Sequence, residues 1–215
     1  MVQGYSIILK LMENEGKKRG AAVYSIGALT HHTPFRTLVF IMLSARSTDA
    51  RTYQVCKNLF DIADTPEGVL KIKREKLKKI LHPIGFYNTK TKNLVETSGK
   101  IIEQFNGSVP DNRKELMSLP GVGRKTANLV LNTVFGKKEI GVDVHVHKIA
   151  NRLGWVKTKN HKQTELELKK LLPEKLWKKC NLIFVGYGQT VCTTKNPKCS
   201  ECVVKKYCKR VGVSN

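Results

Sequence analysis

Apolar residues recur at helical spacing along nearly the whole chain, and no alternating run of five or more residues reads as a strand. The pattern therefore predicts an all-α fold. Thr33 and Pro34 supply an N-cap and a first-turn proline for a helix running through Ala45. Residues 38–43 are the longest apolar run, far short of a membrane span, and read as a central core helix. Ser47 and Thr48 cap a second helix, with Val55, Cys56, Leu59 and Phe60 on its inner face. The segment PIGFYNTK reads as a turn. After it, Leu94, Ser98, Ile101, Ile102 and Phe105 form a stripe ended by Asn106 and Gly107. Ala127, Val130, Leu131, Val134 and Phe135 mark a further helix stopped by Gly136, with Lys125, Asn128 and Asn132 expected away from that stripe. In VDVHVHKIANRLG, Asp143 is the expected N-cap, Val146, Ile149, Ala150 and Leu153 face inward, and Gly154 terminates. No internal repeat or low-complexity linker interrupts the 215 residues, a length that holds one or two domains.

Charge narrows the class of partner. Lys and Arg number 39 against 17 Asp and Glu, a net charge of +22 spread over the whole chain. Such an excess points to a polyanion, nucleic acid ahead of an acidic membrane surface. The opening MVQGYSIILKLM has no basic lead and too short an apolar run for a signal peptide, so an intracellular protein with no membrane association is expected.

Two clusters carry chemistry. In LPGVGRKTA, residues 119–127, the proline fixes one side of a tight turn. Gly121 and Gly123 are expected to take conformations that side chains forbid, leaving backbone N–H groups at a helix start, a cradle for phosphate. An ordinary turn between helices uses the same residues, but Arg124 and Lys125 then stand in an opening turn where the helix dipole disfavours cations. Positive potential and partial desolvation both disfavour the ammonium form of Lys125, which suits an amine nucleophile; a charged, phosphate-binding lysine is the competing reading. The second cluster is Cys192, Cys199, Cys202 and Cys208, spaced C-x6-C-x2-C-x5-C. In a reducing compartment this argues for metal ligation over disulfides, and the spacing alone leaves an iron–sulfur cluster and zinc both open. Cys56 and Cys180 read as buried apolar thiols. His145 and His147, two apart on a helix, make a poor metal pair and read as structural or phosphate-facing.

The stretches LPGVGRKTANLVLNTVFG and VDVHVHKIANRLG, with IGFYNTK before them and the cysteines after, closely resemble the endonuclease III DNA glycosylases and abasic-site lyases of the helix-hairpin-helix Gly-Pro-Asp superfamily. The resemblance covers most of the chain. It implies two helical domains with a DNA-binding cleft between them. Residues 27–137 would form a six-helix barrel with the helix-hairpin-helix, and residues 1–26 with 138–215 an iron–sulfur cluster domain. Lys125 would be the Schiff-base lysine and Asp143 the catalytic aspartate. Gly121, Val122 and Gly123 would form the phosphate-binding hairpin, and the four cysteines would hold a 4Fe-4S cluster. Lys195 and Lys198, in the basic loop TTKNPK, would reach phosphate. Arg46 would fill the gap left by a flipped base, and Phe86 would wedge into the duplex.

The implied partner is double-stranded DNA containing damaged bases or abasic sites, bound by a monomer. The implied setting is the cytoplasm with the nucleoid, or the nucleus in a eukaryote. The implied activity is excision of damaged pyrimidines followed by strand cleavage through β-elimination. The alternatives are a monofunctional mismatch or uracil-type glycosylase, or a non-catalytic helix-hairpin-helix protein with a zinc knot. Two positions depart from the family pattern: LSARSTD has Arg46 where most members carry glutamine, and Val144 replaces a common threonine. Both bear on substrate preference and leave the reaction class intact.

Overall fold

A computed structural model describes residues 2–24 and 33–213. The helices in chain order are α1 (Val2–Lys18), α2 (Pro34–Ser44), α3 (Asp49–Phe60), α4 (Pro66–Lys71), α5 (Arg74–Leu81), α6 (Tyr87–Phe105), α7 (Arg113–Ser118), α8 (Arg124–Thr133), α9 (Val144–Leu153), α10 (His161–Leu171) and α11 (Glu174–Thr190), with no strand among the described residues. The chain divides into two compact units, Ile26–Lys137 and Met1–Ser25 together with Lys138–Asn215. The domain boundary that the resemblance implies at residues 26 and 27 lies outside the described residues.

In the unit Ile26–Lys137, α2 is apolar on all sides from Leu38 to Leu43 and buried there accordingly, with Leu38, Val39 and Leu43 almost inaccessible. A helix with no polar face must sit at the centre of a core, and α2 packs on α3 and α8. The Thr33 hydroxyl caps it by accepting from the Arg36 amide at 3.1 Å. The next helix differs from expectation: the Thr48 side chain makes no capping bond, and the Ser47 hydroxyl oxygen is buried without a partner. PIGFYNTK is also only partly a turn, because α6 already begins at Tyr87. The end of α6 follows the sequence, with Asn106 and Gly107 both left-handed and the Gly107 amide donating to the Ile101 carbonyl at 3.0 Å.

The other unit has its own core around Met12, Ile149, Phe184 and Tyr187. Here α1 lies against α11, and the approach depends on paired glycines: a Cβ at Gly16 would stand 3.2 Å from the Gly186 carbonyl carbon. Asp143 caps α9, Val146, Ile149, Ala150 and Leu153 are buried, and Gly154 ends the helix in the left-handed region.

Candidate active site

The hairpin between α7 and α8 is anchored through its apolar residues. Leu119 and Val122 are buried, and the Val122 amide donates to the Leu119 carbonyl at 3.1 Å. From α6, Thr97 Oγ1 donates to the Pro120 carbonyl at 2.9 Å and Lys100 Nζ to the Ser118 carbonyl at 2.8 Å. Gly121 has φ +78°, which favours glycine, and a Cβ there would stand 2.6 Å from Asn93 Nδ2 and push that side chain aside.

Gly123 corrects the sequence reading. Its backbone is extended, φ −86° and ψ 175°, a conformation open to any residue, and a Cβ would meet nothing within 4 Å. It lacks a side chain where the surface at the start of α8 is open. Lys125 follows in the first turn, half-buried. Asn128 and Asn132, expected away from the apolar stripe, are buried at 0% and 4% exposure. Asn128 can be buried because its Oδ1 accepts from Arg113 Nε at 2.8 Å. Of the three polar side chains, only Lys125 keeps access to the surface.

Asp143 belongs to the other unit. Its Oδ1 accepts from the His145 and Val146 amides at 2.9 and 3.0 Å, which fixes the carboxylate at the positive end of α9. Val144 follows it, exposed. His145 and His147 have separate surroundings. His145 packs on Gly188, where a Cβ would fall 2.2 Å from its Nδ1. His147 Nδ1 shares a hydrogen bond with Thr164 Oγ1 at 2.6 Å. Burial, then the neighbouring His161 and Lys148, hold His147 below the usual imidazole range.

Arg46 and Phe86 are brought together. Both are exposed, both are left-handed, at φ 53° and 60°, and the Arg46 guanidinium carbon sits 5.2 Å from the centre of the Phe86 ring. Phe86 is 60% exposed, so it is no core aromatic. Left-handed backbone costs a non-glycine residue about 1–2 kcal/mol and collects at functional sites.

The four C-terminal cysteines carry free thiols. Among the described residues no group of three or more His, Cys, Asp or Glu side chains is arranged to hold a metal ion. The thiols nevertheless share one electrostatic neighbourhood: Cys192 interacts with Cys202 and Cys208, and Cys208 with Cys199 and Cys202. Burial pushes the Cys192 thiol up against the opposing pull of Arg152, and the Cys208 thiol up against the Arg210 amide. Three of the sulfurs have polar neighbours, and Cys208 Sγ also donates to the Arg152 carbonyl at 3.3 Å. Arg152 NH1 reaches Cys192 Sγ at 3.4 Å, the Arg210 amide reaches Cys208 Sγ at 3.3 Å, and the Tyr187 hydroxyl lies 3.1 Å from Cys202 Sγ. Lys195 and Lys198 are exposed on the loop between Cys192 and Cys199. Cys56 and Cys180 are fully buried, their thiols pushed up to about 12 by burial.

Sequence reasoning missed Arg152, Lys148, Tyr187 and Lys90. Arg152, 8% exposed, donates to the Thr193 and Thr194 carbonyls at 2.7 and 3.0 Å, and Lys148 Nζ adds a bond to Thr194 at 3.1 Å. These bonds hold the base of the loop carrying Lys195 and Lys198. The only local signal is an arginine in the last turn of α9, where cations are ordinary.

The chain belongs to the HhH-GPD superfamily of base excision DNA repair proteins, whose match spans residues 39–174. Within it the chain falls in the endonuclease III family. It is 46% identical to Endonuclease III of Thermotoga maritima, over 81% of this chain and 82% of the relative. It is 37% identical to Endonuclease III of Escherichia coli K12, over 84% and 85% respectively. A solved trapped endonuclease III–DNA covalent intermediate, an estranged-adenine complex, matches with a TM-score of 0.86 at 32% identity, over 98% of this chain and 96% of the other.

Proposed function

We propose that the chain is a bifunctional DNA glycosylase and abasic-site lyase that excises damaged pyrimidines from duplex DNA. The observation that carries this reading is Lys125, half-buried in the first turn of α8 directly behind the left-handed Gly121 turn. Relatives named for endonuclease III and trapped as a covalent DNA intermediate support it. In this reading the damaged nucleotide leaves the stack. The neutral Lys125 amine attacks C1′, and the base departs with the electrons of the broken N-glycosidic bond and is protonated. The sugar ring opens to an imine linking Lys125 Nζ to C1′. Loss of a C2′ proton then expels the 3′ phosphate with the electrons of the C3′–O bond, cutting the strand.

Asp143, its orientation fixed by two amides, would stabilise positive charge developing on the sugar and manage the lysine's proton. Gly121, Val122 and Gly123 would seat a phosphate, with the open surface at Gly123 admitting the DNA backbone. Lys195 and Lys198 would contact phosphate, and Arg46 and Phe86 would enter the duplex.

Cys192, Cys199, Cys202 and Cys208 would hold a 4Fe-4S cluster. Their free thiols, shared neighbourhood and the N–H donors from Arg152 and Arg210 fit thiolate ligands. When bound, the cluster would contribute folding free energy by tying the C-terminal loop to α11. The enzyme would act as a monomer inside the cell.

Base release and strand cleavage, assayed separately on duplexes with defined lesions, test the reading. Wild type should do both. Lys125→Gln should lose cleavage while keeping duplex binding, since phosphate contacts are shared among many cations. Asp143→Asn, which keeps a good cap, should slow release by about 10²- to 10³-fold. Undiminished cleavage by Lys125→Gln would refute the assignment.

A further inference from the structure

Arg46 and Phe86 are exposed, left-handed and stacked on one another, yet they come from separate segments. Something must hold two strained tips in register. Gly85 brings the segments into contact, since a Cβ there would sit 3.1 Å from the Arg46 carbonyl oxygen. The more telling residue is Lys90, only 8% exposed although it carries an ammonium. Its backbone amide donates to the Phe86 carbonyl at 3.0 Å. Its Nζ donates to the Leu43 carbonyl at 2.9 Å, in the last turn of α2 just before Arg46. One residue thus grips the carbonyls behind both tips. The ammonium pairs with backbone and lies beside the buried Cys56 thiol, and burial holds it below the usual lysine range. Burying a charge is costly, and the bond to the Leu43 carbonyl offsets part of that cost.

We propose that Lys90 is a positioning residue: by tying the α2 end to the α6 start, it sets the paired presentation of Arg46 and Phe86 to DNA. The proposal rests on the glycosylase reading only for its catalytic arm. The test compares wild type, Lys90→Met and Lys90→Arg on a duplex with 2-aminopurine opposite a tetrahydrofuran abasic-site analogue. Fluorescence there reports unstacking without any chemistry.

Wild type should raise the fluorescence. At saturation Lys90→Met should give a much smaller rise and slow single-turnover excision about tenfold, the size expected when one charge-assisted hydrogen bond no longer holds a loop. Undamaged-duplex affinity should stay unchanged, and the melting temperature should fall by no more than a few degrees, since only the Leu43 carbonyl loses its partner. Lys90→Arg, which retains a donor, should restore most of the rise. A wild-type rise from Lys90→Met overturns the proposal. So does wild type that binds without a rise, or a Lys90→Met protein whose affinity for undamaged duplex falls along with the rise, for then the lysine is merely structural. Absence of excision by wild type would count against the glycosylase reading instead, and the fluorescence comparison would still decide Lys90.

Discussion

Arg46 presents donors only, whereas the glutamine common at this position in the family offers a donor and an acceptor. Stacked on Phe86, the guanidinium is held as a flat fork at the tip of a strained turn. Among base edges, guanine O6 and N7 match such a fork best. We therefore expect excision to favour lesions opposite guanine over the same lesion opposite adenine. A well-made bidentate contact discriminates by roughly 1–3 kcal/mol, or about 5- to 150-fold. Single-turnover excision of one lesion opposite each of the four bases measures this, and Arg46→Gln should flatten the preference. Equal rates opposite all four bases would make Arg46 a phosphate anchor.

At the scale of elements, the hairpin between α7 and α8 separates backbone demand from open space. Gly121→Ala places a side chain at φ +78° against Asn93 and should destabilise the protein by about 1–2 kcal/mol. Gly123→Ala meets neither strain nor neighbours but puts a poor N-cap residue at the start of α8, so it should cost up to about 1 kcal/mol and lower the melting temperature less than Gly121→Ala does. If the open surface at Gly123 seats a phosphate, that second variant should still bind duplex more weakly. Paired melting curves and binding isotherms check both.

The same element shows what sequence can and cannot carry. The Thr33 and Asp143 caps and the Asn106–Gly107 stop were legible because each depends on residues a few positions apart. The left-handed turn at Gly121 was legible for the same reason. Gly123 was misread because glycine identity does not say whether φ is positive. The burial of Asn128 was invisible because it hangs on Arg113, a contact set by the docking of α7 on α8. Lys90 and Arg152 were missed likewise: each acts through a carbonyl more than 35 residues away, at Leu43 and at Thr193. The cysteine spacing was plain, but the Tyr187 hydroxyl beside Cys202 needed the fold.

For the molecule as a whole, the +22 charge and the C-terminal cysteines set the remaining expectations. Protein isolated anaerobically should be brown and contain iron and sulfide. Serine at any one of Cys192, Cys199, Cys202 or Cys208 should cost iron and solubility together, because ligation and the folding of the loop are one process. Cys56→Ser should leave the iron in place, since its thiol is buried in the core of the other unit. Stoichiometric zinc without iron would contradict the cluster and revive the zinc knot.

The central claim is that Lys125 forms a covalent imine with the sugar of a damaged nucleotide, and borohydride tests it most directly because reduction converts that imine into a stable amine. Wild-type protein mixed with lesion-containing duplex and borohydride should yield one protein–DNA adduct, and peptide mass mapping should place it on Lys125. Lys125→Gln should yield none while still binding the duplex. An adduct that maps to another residue, or one undiminished in Lys125→Gln, would contradict the account.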